Sequence, residues 1–160
     1  MTDFRRICCP TDFSEASREA LREGSQLARR HGAGLTVLHV AEPVHGDPEM
    51  AFAAAAQQIE EAAASSLSAW KTEAERMLGG QVGSVLVAGP PAPAIVRFAR
   101  DSGTDLIVMA SHGRTGLRRL VLGSEAEQVL RSAPCDVLVV RREEVNRSEE
   151  KTDTEIGMPA

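Results

Sequence analysis

Five short apolar runs punctuate the chain: Ile7-Cys8-Cys9, Leu35-Thr36-Val37-Leu38-His39-Val40, Ser84-Val85-Leu86-Val87-Ala88, Leu106-Ile107-Val108-Met109 and Val137-Leu138-Val139-Val140. None alternates cleanly between apolar and polar residues, as a strand with one wet face does. Continuous apolar character rich in β-branched residues suits strands covered on both faces. Between the runs lie segments with helical spacing. The first begins near Ser14, a residue type that caps helix N-termini, carries Ala16, Ala20, Leu21, Leu27 and Ala28 at helical intervals, and stops at Gly32. The second starts at Asp47-Pro48-Glu49, with proline at the first helical position, and runs to Leu78 ahead of Gly79-Gly80. Its alanine runs favour a long helix, with a break expected near Ser65-Ser66. A third follows Pro90-Pro91-Ala92-Pro93 and ends near Gly103, and a fourth spans Ser124 to about Ser132, stopped by Pro134. The order β-α-β-α-β-α-β-α-β predicts an α/β fold, an open five-stranded parallel sheet with helices on both faces, Rossmann-like in architecture.

At 160 residues the chain is long enough for one domain with a core and short for two. No apolar run approaches the roughly 20 residues of a membrane span. Met1-Thr2-Asp3-Phe4-Arg5-Arg6 leads straight into an apolar strand rather than a signal peptide, so a cytoplasmic protein is expected. The domain is read as residues 1–141. Residues 142–160, with three basic and six acidic side chains and few apolar ones, read as a disordered tail. A net charge of −5 with 3% aromatics speaks against nucleic acid as a partner. Cys8, Cys9 and Cys135 have no metal-ligand spacing, and neighbours on a strand point to opposite faces, so reduced, buried thiols are expected. His31, His39 and His45 show no ligand spacing either.

The stretch from Ala110 through Ser111-His112-Gly113-Arg114-Thr115-Gly116 to Gly123-Ser124 holds the chemistry. An apolar strand opens into a glycine-bearing turn, and Gly123-Ser124 falls where the next helix starts. Backbone amides and the positive end of a helix dipole there suit a phosphate. His112, Arg114, Arg118 and Arg119 lie in this loop without an acid, a local reversal of the chain's negative charge. At most one of the arginines is expected to clamp a phosphate, and His112 is read as a turn residue. In an open parallel sheet ligands bind beyond the strand carboxyl ends where the winding reverses. Pro10-Thr11-Asp12 ends the first strand, so this loop and the glycine loop would share a pocket if their strands are neighbours. Asp12 has two readings, a ribose or cation ligand and a cap for the first helix. Thr11 and Ser14 share that ambiguity, and Ser124 is either a phosphate ligand or the cap of the fourth helix. No G-x-x-x-x-G-K-[ST] occurs, and Pro10-Thr11-Asp12-Phe13 replaces the G-x-G-x-x-G of dinucleotide-binding dehydrogenases. Ala88-Gly89-Pro90 stands where a phospho-acceptor receiver domain would carry an acid.

Pro10-Thr11-Asp12-Phe13-Ser14, Leu38-His39-Val40 and the glycine loop together resemble the universal stress protein family, over residues 4 to about 141. The family's nucleotide motif, G-x2-G-x9-G-[ST], maps onto Ala110, Gly113, Gly123 and Ser124, with alanine in place of the first glycine. The added methyl is tolerated where φ is negative. The resemblance implies strand order 3-2-1-4-5 and an adenine nucleotide, ATP with Mg2+. Pro10, Thr11, Asp12 and Val40 would surround adenine and ribose, the Val40 backbone reading the base edge. Met109, Ala110, Gly113, Gly123, Ser124 and Glu125 would line ribose and triphosphate. It also implies a homodimer through the fifth strand, which carries no Pro or Lys to block edge pairing. The expected function is an ATP-binding stress-response regulator or sensor with an unknown downstream partner. The alternatives are a slow ATP hydrolase or phosphotransferase, for which no catalytic residue is assigned, and a dimeric interaction module that binds no nucleotide.

Overall fold

A computed structural model describes residues 3–43, 50–113 and 122–141. Asp47-Pro48-Glu49, Arg114, Arg118, Arg119 and the tail beyond Arg141 lie outside the described residues. The elements follow in the order β1 (Arg6–Thr11), α1 (Glu15–His31), β2 (Gly34–Ala41), α2 (Met50–Leu78), β3 (Gly83–Ala88), α3 (Pro91–Ser102), β4 (Leu106–Ala110), α4 (Ser124–Ser132) and β5 (Asp136–Val140). The five strands form one parallel sheet in the order β3-β2-β1-β4-β5.

Helix ends fall where the local chemistry puts them. Ser14 caps α1 by accepting the Ser17 amide, and Gly32 ends it in the left-handed region at φ 64°. Gly103 closes α3 in the same way, at φ 65°. The expected break at Ser65-Ser66 does not occur, and α2 runs unbroken from Met50 to Leu78. Ala63, Leu67, Trp70 and Ala74 form one buried stripe across that point, so packing holds the serines in the helix.

Alternation along the strands splits the core in two. Ile7, Cys9, Leu35, Val37 and Val108 face α1 and α2, while Cys8, Leu38, Ile107 and Met109 face α3 and α4. Adjacent Cys8 and Cys9 therefore sit in different layers, both fully buried, and burial pushes both thiols up, Cys9 to about 12. Cys135 departs from the expectation of full burial and is only partly buried.

Candidate functional site

The winding of the sheet reverses between β1 and β4, and the two strands part there. Their register covers Ile7↔Leu106 and Cys8↔Ile107, whereas β1 stays paired with β2 up to Thr11↔His39. Proline accounts for the parting. The Arg6 carbonyl accepts the Asp105 amide, so the alternate residues Cys8 and Pro10 also turn their backbone toward β4. Pro10 has no N–H to continue that ladder, and a crevice opens above it.

On the β1 side of the crevice the loop is held by its own polar groups. Asp12 Oδ1 accepts the Ser14 amide at 3.0 Å and the Ser17 hydroxyl at 2.7 Å. The capping reading of Asp12 is thus realised through this oxygen, while Oδ2 stands toward Gly113. Thr11 Oγ1 accepts the Phe13 amide at 2.9 Å, and His39 Nδ1 bonds to the Thr11 carbonyl at 2.7 Å. Phe13 has φ 65°, the one positive value among the described non-glycine residues. Its ring is held in that disfavoured conformation between His39, at a centroid distance of 4.3 Å, and Trp70, at 5.6 Å. This turn has a consequence for β2. The Gly89 amide takes the Ala41 carbonyl on the β3 side, so alternation directs the Val40 carbonyl toward β1. The amide that would meet it in a continued β1, that of Phe13, is spent on Thr11 Oγ1.

On the β4 side the first glycine of the motif is not missed. Ala110 ends an extended strand with negative φ, which accommodates a methyl group. Gly113 is needed for its lack of one, since a Cβ there would stand 2.8 Å from Asp12 Oδ2. Gly123 carries a packing constraint. Its amide is donated to the Ser111 carbonyl at 2.7 Å, and a Cβ would meet that oxygen at 2.8 Å. Gly123 thus lets two backbone segments cross in contact. It is also the N-cap of α4, with no side-chain cap, which makes Ser124 the first helical residue rather than the cap. Glu125 Oε2 accepts the Ala92 amide at 2.8 Å, serving α3, whose own N-cap Pro90 has no side chain to offer. His112 bonds through Nδ1 to Ser111 Oγ at 3.0 Å.

These segments enclose a cavity of about 580 Å³, a size that suits a small-molecule ligand. Of the ten residues picked out in the sequence, Pro10, Thr11, Asp12, Val40, Met109, Ala110, Gly113, Ser124 and Glu125 line it, and Gly123 is not among the lining residues. Sequence reasoning missed His39, Glu42, Ile59, Ala63, Pro91 and Ile95, which line it too. For Ile59 and Ala63 a signal existed, because they fall on the apolar stripe of α2 at i and i+4. Among the described residues no group of three His, Cys, Asp or Glu is placed to hold a metal ion. A second hollow, of about 750 Å³, lies at the other end of the strands, where Asp3-Phe4-Arg5 leads into β1 and α1 ends. Four of its six lining residues are exposed, and it touches no strand carboxyl end.

The sequence model of the universal stress protein family matches residues 3–141. This chain belongs to the universal stress protein family. A universal stress protein of Methanocaldococcus jannaschii is 35% identical over 142 residues, 87% of this chain and 83% of its own. A second one of that archaeon is 30% identical over 156 residues, 87% of this chain and 96% of its own. The structure solved for that second protein superposes with a TM-score of 0.80 at 32% identity, across 89% of this chain and 99% of that one. Two more distant universal stress protein structures share the fold. One, in complex with cAMP, has a TM-score of 0.68 at 23% identity over 89% of this chain and 100% of its own. The other, from Archaeoglobus fulgidus in complex with dAMP, has 0.60 at 22% over 86% and 98%. Among the described residues of this universal stress protein, no helix is long and apolar enough to cross a membrane.

Proposed function

We propose that this universal stress protein binds ATP with Mg2+ in the crevice between β1 and β4, and acts in the cytoplasm as a nucleotide-dependent stress-response regulator or sensor. The observation that carries the reading is the convergence of the β1, β2 and β4 ends and the N-terminus of α4 on one cavity at the reversal of the sheet. The complexes of related folds with cAMP and dAMP support an adenine nucleotide as its occupant.

The residues present fit such a ligand. The Val40 carbonyl suits the exocyclic amine of adenine, with Leu38, Met109 and Pro10 as apolar surroundings. Asp12, beside Gly113, is the acceptor for ribose hydroxyls. The first-turn amides of α4 and the Ser124 hydroxyl suit phosphate oxygens, and Gly123 at the N-cap brings no side chain of its own to those amides. Mg2+ would enter with the phosphates, which together with one or two carboxylates are its usual ligands.

The test is to denature freshly purified protein, identify any released nucleotide by chromatography, and titrate the stripped protein with ATP and Mg2+ by calorimetry. One ATP bound per chain without turnover supports the sensor, and turnover abolished by Asp12→Asn would make the protein a slow hydrolase. No released nucleotide and no heat overturn the reading in favour of an interaction module. Gly113→Val, which drives a side chain onto Asp12 Oδ2, is expected to weaken ATP at least about tenfold.

A further inference from the structure

Helix α2 is longer than the sheet it covers. Its 29 residues span about 43 Å, against about 26 Å for the eight residues of β2. The buried stripe that docks it on β2 and β3 starts only at Ala63, and residues 53–62 are all exposed. In a parallel sheet the connecting helix runs opposite to the strands, so the uncovered turns stand above the carboxyl edge, where the cavity is. These turns are rich in alanine and glutamine, with one large apolar exception. Ile59 lies four residues before Ala63 and eight before Leu67, so it continues the docking stripe past the point where the sheet ends. It is 50% exposed, the most open large apolar side chain among the described residues. Both Ile59 and Ala63 line the cavity, and α2 covers one face of the sheet while α4 covers the other. An isoleucine on a core stripe, facing a hollow instead of a core, is a surface awaiting an apolar partner.

We infer that Ile59, with Ala63, is the apolar lip that packs on the base of the bound nucleotide, so that the protruding turns of α2 belong to the binding site. The inference rests on the nucleotide reading of the cavity. Its chemistry is separate from that of the phosphate loop. A planar ring is apolar on its faces and polar at its edge, and the lip meets a face while the Val40 backbone meets the edge. Ile59 is thereby a specificity-determining residue, favouring a purine over a smaller base that leaves the side chain wet.

The experiment compares the full-length protein with Ile59→Ala and Ile59→Leu, titrating each with ATP and Mg2+ by calorimetry, with thermal unfolding of the unliganded proteins in parallel. Hydrogen exchange over residues 53–62 is followed with and without saturating ATP. Ile59→Ala is expected to weaken ATP about fivefold to tenfold, Ile59→Leu to stay within about twofold, and the unfolding midpoints to coincide because the side chain is half-exposed without ligand. ATP is expected to slow exchange over 53–62 in the parent protein. Parent-like affinity in Ile59→Ala, or no added protection in the parent, overturns the lip while leaving the nucleotide site intact. A parent protein that binds no ATP overturns both.

Discussion

Gly24 shows how one residue sets the distance between layers. A glycine inside a helix costs roughly 1 kcal/mol relative to alanine, so its presence in α1 needs a reason. The reason is Cys9 on β1, because a Cβ on Gly24 would collide with the Cys9 sulfur. Gly24→Ala is expected to destabilise the fold by about 1–3 kcal/mol, and most of the loss should vanish in a Cys9→Ala background. Urea unfolding of the two single variants and the double variant measures that coupling. The same burial sets a pH dependence. Cys9 is held near 12 by desolvation against an ordinary value of 9.0, so the folded state keeps a proton that the unfolded chain releases. Its contribution is therefore complete below about pH 9 and is lost as pH rises toward about 12, at about 1.4 kcal/mol per pH unit. Cys9→Ala should flatten that slope, and an unchanged slope would reject the assignment. At this scale the sequence was readable where a residue's use is local. Ser14 as a cap and Gly32 as a stop follow from neighbours within a few positions. Gly24, Gly123 and Glu125 do not, because their partners Cys9, Ser111 and Ala92 are brought to them only by the fold.

Elements were legible in the same graded way. The apolar runs mark every strand to within a residue or two, because strands buried on both faces have few alternatives. Helix α2 was misread at Ser65-Ser66 because local propensity was weighed without the stripe from Ala63 to Ala74 that overrides it. The pairing of α3 with α4 was not legible at all. Beside the apolar core the two helices share, it includes Glu125, the second residue of α4, reaching the Ala92 amide in the first turn of α3, where Pro90 supplies no cap. A carboxylate near a helix N-terminus is favoured by the dipole as well as by the hydrogen bond. Glu125→Ala is expected to cost about 1–2 kcal/mol by orphaning that amide, with Glu125→Gln recovering part of it. Denaturant midpoints at constant slope would show this, and parent-like midpoints would mean that the bond contributes nothing.

At the scale of the whole molecule, assembly turns on the edge of the sheet. Among the described strands the order β3-β2-β1-β4-β5 leaves β5 with one unpaired side, and its run Val137-Leu138-Val139-Val140 has no charge or proline to discourage pairing. We propose that two chains meet there about a twofold axis, the edges pairing as one continuous sheet. The side chains divide by face. Val137 and Val139 pack inward against the α3 and α4 layer, whereas Leu138 is 38% exposed. A charge at Val139 would thus damage the monomer's own core, and its effect on assembly could not be separated from unfolding. A charge at Leu138 meets solvent in the monomer and a second Leu138 strand in the dimer. Leu138→Asp is therefore expected to convert a dimer into a folded monomer, its thermal midpoint shifting no more than dimer dissociation requires. Light scattering at several concentrations reads the mass, and a Leu138→Asp protein that remains dimeric would place the interface elsewhere than β5.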